Sequence, residues 1–150
     1  MSDPKHIHLV AAKHVLRYVQ GTITYGLRYT SSSGVLLSRY SNSDWAGSAV
    51  NRKSTSGYCF NTGLAMISWS SRKQGSIAQS TAEAEYIATS DACKEAVWLR
   101  KLLSDLFKGK LDSTIIHCNN QSCIKLSENP VFHDRLKHIE TRYHFIRDLV

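Results

Sequence analysis

Between Asp3-Pro4 and Gly21 the apolar positions Ile7, Val10, Ala11, Val15 and Tyr18 follow helical spacing. The pattern predicts one amphipathic helix, with Asp3 as N-cap, proline at the first helical position and Gly21 as the stop. Its apolar stripe is expected to pack on whatever follows. From 23 to 70 the period shortens. TYGLRYT (24–30), GVLLSRYS (34–41), SGYCFNT (56–62) and AMISWSS (65–71) are short, rich in β-branched and aromatic residues, and separated by Gly, Ser and Asn. They predict an antiparallel meander of three main strands, with 25–30 either the start of the first or a separate short strand. The connection SDWAGSAVNRKSTSG (43–57) is long for a tight hairpin and carries Arg52 and Lys53, which marks it as a working loop.

The helical period returns at QSTAEAEYIA (79–88) and is expected to run to about Phe107. Ser80 and Glu83 have the spacing of a capping box, which gives Glu83 a structural task. Glu85 is different. Positions 85, 88, 92, 96, 99 and 103 read Glu, Ala, Ala, Ala, Leu, Leu, so an acid heads an otherwise apolar stripe near the positive end of the helix. The bland alternative is a half-exposed first-turn acid. STIIHC (113–118) predicts a strand, Asn120 caps a short helix over QSCIKLSEN (121–129), and RLKHIETRYHFIRDLV (135–150) predicts a final amphipathic helix carrying Ile139, Tyr143 and Ile146. Strands followed by helix, strand and helix give an α/β or α+β domain with a mixed sheet.

Composition adds bounds. The chain has 150 residues, 42% hydrophobic and 21% charged, which describes an ordinary globular chain. No apolar run approaches the length of a membrane span, and histidines and charges interrupt the apolar positions of the N-terminus, so neither a membrane nor a secretory route is expected. Cys59, Cys93, Cys118 and Cys123 show no C-x-x-C spacing and do not combine with the histidines at zinc-finger intervals. Reduced thiols in the cytoplasm or nucleus are the expectation. The formal charge is +7, with basic clusters at 51–53, 71–73, 100–101 and 135–137. That balance favours polyanions, with Arg52, Lys53, Arg72 and Lys73 as candidate nucleic-acid contacts; a solvated basic surface is the competing account.

Three positions fall at element ends that can face one cleft: Asn42 closing a strand, Glu85 opening a helix and Asn119 closing another strand. With aspartate at both asparagines, three carboxylates would converge. That is the minimum cradle for the hard cations used in two-metal phosphodiester cleavage.

The motifs YSNSDWAG, NRKSTSGYCF, ISWSSRKQ, STAEAEYIA and HCNNQSCIKLSENPVFHDRLKHIETRYHFIRD occur in order. Together they resemble the ribonuclease H region of copia-type retrotransposon polyproteins, from about Lys5 to Asp148. The resemblance implies an α/β, RNase H-like fold: three antiparallel strands, a helix, a fourth strand parallel to the first, and further helices. It assigns 1–22 to the tail of a reverse transcriptase region and 23–150 to the RNase H-like domain. It also implies Mg²⁺-dependent cleavage of the RNA strand of RNA/DNA hybrids by four acids. The first falls at position 42, the second at Glu85 and the third at position 119.

This chain departs from that pattern at Asn42 and Asn119. The family continues into a fifth strand and a last helix carrying the fourth acid, and the sequence ends at Val150 before both. Leu136 stands where Ser or Thr is usual. Asp44 lies roughly 6.6 Å beyond Asn42 along the strand. Mg²⁺–oxygen bonds span only about 2.0–2.1 Å, so Asp44 cannot substitute without a register shift. Asparagine offers a carbonyl oxygen without charge, leaving Asn42, Glu85 and Asn119 as a vestigial Mg²⁺ site. His133, His138 and His144 are expected to pack or to face solvent. The expected function is a retrotransposon-derived RNase H-like domain, inactive or severely impaired, that binds nucleic acid or a protein. The alternative is an active Mg²⁺-dependent ribonuclease H. No tightly bound cofactor is expected, with Mg²⁺ required for any remaining activity. With no fifth strand beside it, 113–118 would be an open apolar edge, inviting a homodimer or a protein partner.

Overall fold

The computed structural model describes residues 3–29, 37–128, 145, 146 and 149. The chain divides into two compact units, Met1–Thr30 and Ser31–Val150. The first contains α1 (His6–Gly21). Its N-cap is Lys5, a correction to the expectation of Asp3. The Lys5 N–H donates to Nδ1 of His8 at 3.0 Å, and the His8 N–H returns a bond to the Lys5 carbonyl at 2.9 Å, so the first turn closes on Lys5. Gly21 ends the helix, as its position predicts, and the Thr22 hydroxyl covers the Tyr18 carbonyl at 3.0 Å. Residues 25–29 form no strand; the Tyr25 N–H is taken by the Thr22 carbonyl in a turn that continues the helix end.

The second unit is built on a four-stranded mixed sheet in the order β3-β2-β1-β4. Strand β1 (Leu37–Asp44) pairs antiparallel with β2 (Thr55–Thr62), which pairs antiparallel with β3 (Ala65–Lys73). Gly63, at φ 59°, supplies the left-handed position of the two-residue β2–β3 turn. A register shift after Phe60 leaves Ile67 as an extra residue of β3, and Ile67 packs against the buried cluster around Phe60. This is an α/β architecture consistent with an RNase H-like fold.

Helix α2 (Thr81–Phe107) covers one face of the sheet. The Ser80 Oγ accepts the Glu83 N–H at 3.1 Å, as the sequence predicts for the N-cap. The Glu83 carboxylate bonds the Gln79 N–H at 2.8 Å, one residue ahead of the cap itself. Every member of the anticipated stripe is buried: Glu85, Ala88, Ala92, Ala96, Leu99 and Leu103. Three alanines there let the helix lie close on the strands, where Ala92, Ala96, Leu99 and Leu103 pack with Leu37 and Phe60. A second cluster joins α2, through Ala84, Ile87 and Cys93, to Cys123 and Ile146.

Strand β4 (Ile116–Cys118) runs parallel to β1 and is half the length expected from 113–118. Before Ile116 the chain is held to α2, where Arg100 donates to the Leu111 carbonyl at 3.2 Å, and only Arg39–Ser41 of β1 face β4. Helix α3 (Gln121–Glu128) follows, and Asn120 caps it as predicted, its Oδ1 accepting the Cys123 N–H at 2.9 Å. The expected final helix over 135–150, with Leu136, His133, His138 and His144, lies outside the described residues apart from helical Phe145 and Ile146 and the turn residue Leu149. No described helix is long and apolar enough to cross a membrane.

Candidate functional site

The carboxyl-terminal ends of β1 and β4 meet the amino-terminal turn of α2. The polarity of β1 aids this meeting: its buried side carries Leu37, Arg39 and Ser41, so hydroxyls and backbone groups face the helix start. The Ser41 hydroxyl bonds that of Thr89 at 3.2 Å, and the Ser43 N–H donates to Glu85 Oε1 at 3.0 Å. Glu85 is 6% exposed and its Oε2 has no hydrogen-bond partner. Burial raises its pKa above the ordinary carboxylate range; the Ser43 N–H opposes that shift and Cys118 adds to it.

Asn42 is exposed and lies on the side of β1 opposite Ser41 and Ser43. Parallel pairing sets Tyr40 beside His117, their rings stacked at 5.2 Å, and Ser41 beside Cys118. The pairing ends there, and Asn42 and Asn119 are the residues that directly follow that last pair, both exposed. The structure therefore gathers Asn42 and Asn119 at adjoining strand ends, while Glu85 reaches the Ser43 backbone from the helix-covered side.

Neighbouring acids are committed elsewhere. The Asp44 carboxylate accepts the Thr55 N–H across the β1–β2 connection, and a Cβ at Gly47 would overlap it. Glu83 caps α2. Among the described residues no group of three or more His, Cys, Asp or Glu is placed to hold a metal ion. Mg²⁺ is bound through charged oxygens in near-octahedral geometry. A single buried carboxylate, on the other side of β1 from Asn42, does not fit a two-metal centre.

The four basic positions gather at one end of the sheet but do not form a single surface. Arg52 is exposed at φ 54° in the β1–β2 loop, and Lys53 is tied by its Nζ to the Gly75 carbonyl at 2.6 Å. Lys73 pairs in register with Thr55 and bonds the Ser48 hydroxyl at 3.1 Å. Arg72 points to the α2 side, lining a small polar cavity with Asp91 and Glu95.

Two features escaped sequence reasoning. Gln74 is 5% exposed and its Nε2 donates to Ser56 Oγ at 2.8 Å, the Ala84 carbonyl at 2.9 Å and Ser43 Oγ at 3.4 Å. It thereby clamps β1, β2 and the start of α2, and only its place directly after β3 marked it. The second is the pair Cys118 and Cys123, both free thiols. Their mutual interaction holds Cys118 below the ordinary thiol range, against the opposing effect of burial, and pushes Cys123 up.

Along its whole length the chain is 41% identical to the retrovirus-related Pol polyprotein from transposon TNT 1-94 of Nicotiana tabacum. It is 40% identical, again over all 150 residues, to that from transposon RE1 of Arabidopsis thaliana. These relatives are retrovirus-related Pol polyproteins of plant copia-type transposons. The chain spans 11% and 10% of these two Pol polyproteins. Secreted RxLR effector protein 161 of Plasmopara viticola is 50% identical over 98 residues, covering 65% of this chain and 69% of that protein. No family model and no solved structure matches the chain. The Pol relationship makes this a transposon-derived domain.

Proposed function

We propose that this domain is the RNase H-like part of a copia-type Pol sequence and that it binds nucleic acid, RNA/DNA hybrid above all, without cleaving it. The observation that carries the reading is the charge at the strand ends: Glu85 is buried beside Ser43, while the adjoining strand positions hold the amides Asn42 and Asn119. Without further charge the site cannot hold two dications close together, so Mg²⁺-dependent hydrolysis is lost. Binding is supported by the +7 charge and by Arg52, Lys53 and Lys73 around the β1–β2 loop, with Arg72 on the adjacent side. A homodimer or protein partner at β4 has weaker support, because a three-residue edge strand offers few backbone groups to pair.

The test is a hybrid-cleavage assay with Mg²⁺ and with Mn²⁺, run beside hybrid binding across a salt series. The expected result is no cleavage, with affinity falling steeply as salt rises. Arg52→Gln combined with Lys53→Gln should flatten the log–log salt slope by roughly 0.9 for each phosphate no longer neutralised. Cleavage abolished by Glu85→Gln would overturn the binding-only reading, and salt-independent affinity would overturn the basic surface.

A further inference from the structure

A cavity of about 360 Å³ lies between α2, β4 and α3 and is lined by neither Glu85 nor the strand-end amides. Arg39 and Arg100 both line it. Arg39 is 2% exposed, and its Nε and Nη2 have no hydrogen-bond partner. Its guanidinium carbon stands 5.6 Å from the centroid of the Phe60 ring, so an aromatic face supports the cation. Arg100 spends Nη2 on the Leu111 carbonyl at 3.2 Å, while its buried Nε also lacks an acceptor. Neither arginine forms an ion pair with a described residue. Glu128, the one carboxylate on the described wall, is exposed at the end of α3.

A buried guanidinium left without an acceptor is costly, and a planar fork of free N–H groups matches an oxyanion. Burial brings Arg39 down to about 10, and the Arg100 charge works in the same direction against Cys93. Arg39 nonetheless remains a cation at neutral pH. The rest of the wall divides sharply. Ser113, Thr114 and Ser127 supply hydroxyls, whereas Val97, Ile116 and Ile124 supply an apolar surface. The volume falls within the range of small-molecule sites.

We propose that this cavity is a binding site for a small organic anion, whose carboxylate or phosphate pairs with Arg39 and Arg100 and whose apolar part lies along Val97, Ile116 and Ile124. The site is independent of the strand-end amides, so its occupancy does not depend on nuclease chemistry.

The experiment titrates the full chain with octanoate, octyl phosphate, inorganic phosphate and octanol, following thermal midpoint and amide NMR shifts. Octanoate or octyl phosphate should give a saturable rise in midpoint, with shifts at Thr114 and Ser127; whichever binds more tightly identifies the head group. Arg39→Met removes the buried charge at similar volume. It should fold with an unchanged or higher midpoint and lose the ligand response. Arg39→Lys keeps the charge without the planar fork and should weaken binding about tenfold, which provides the test if the methionine variant does not fold. Octanol binding as well as octanoate would reduce the cavity to a greasy void and overturn the proposal. So would equal binding by the Arg39 variants, or no saturable response to either amphiphilic anion.

Discussion

The two faces of the sheet differ more than its strand sequences suggest. One face holds Leu37, Arg39, Ser41 and Phe60 under α2, all buried. The other holds Tyr40, Asn42 and Trp69 of β1 and β3, with His117 of β4 stacked on Tyr40, and no described element of the second unit covers it. Tyr40 is 52% and Trp69 67% exposed, whereas Arg39 is 2% exposed. Large aromatics thus face outward while a guanidinium is buried. The cause is the helix: α2 presents an alanine stripe, flat enough to lie on the strands, and whatever β1 and β2 turn toward it is buried regardless of type.

Paired substitutions should separate the faces most strongly. Phe60→Ala, on the covered side, is expected to cost about 3–5 kcal/mol in chemical denaturation. Trp69→Ala on the open side should stay within about 0.5 kcal/mol. A drop of several kcal/mol at Trp69 would show that something covers the second face. Next in size is the anchoring of α2. Ser80→Ala removes the acceptor for the Glu83 N–H and should cost about 1 kcal/mol, measured by the same unfolding curves.

Glu85, at the seam between the faces, gives the smallest effect and a signed one. Its folded pKa lies above the unfolded value, so the native state retains the proton to higher pH. Stability from this group is complete below the unfolded pKa and is lost as pH rises through the folded pKa. Glu85→Gln keeps an oxygen for the Ser43 N–H and removes that loss. Its midpoint should therefore gain on the natural protein as pH rises through the folded pKa, in a denaturation series from acid to neutral pH. A variant that becomes relatively weaker with rising pH would show instead that the charged carboxylate is stabilising.

Much of this was legible residue by residue. The stripe from Glu85 to Leu103 follows the helical period, and Ser80 and Asn120 cap their helices through bonds spanning three residues. Such signals are local, so the sequence states them directly. The cap of α1 fell at Lys5 and not at Asp3, where His8 and Lys5 exchange two bonds that the residue types did not announce. Strand β4 came out short because its length depends on how much of β1 is free to pair, which is a nonlocal matter. Gln74 and Arg39 were invisible for a related reason: a polar side chain carries no mark of burial until its partners, or lack of them, are in place.

By itself, the sequence determined the element types, the helix caps, the acid heading α2 and the amides at the two strand ends. Only the tertiary structure decided which side of β1 faces inward. Leu-Ser-Arg-Tyr-Ser-Asn-Ser-Asp places polar residues on both sides, so alternation alone does not choose between them. Packing against α2 chose the side bearing Leu37, and that choice buried Arg39 at a cavity, aimed the Ser43 N–H at Glu85 and left Asn42 in the open.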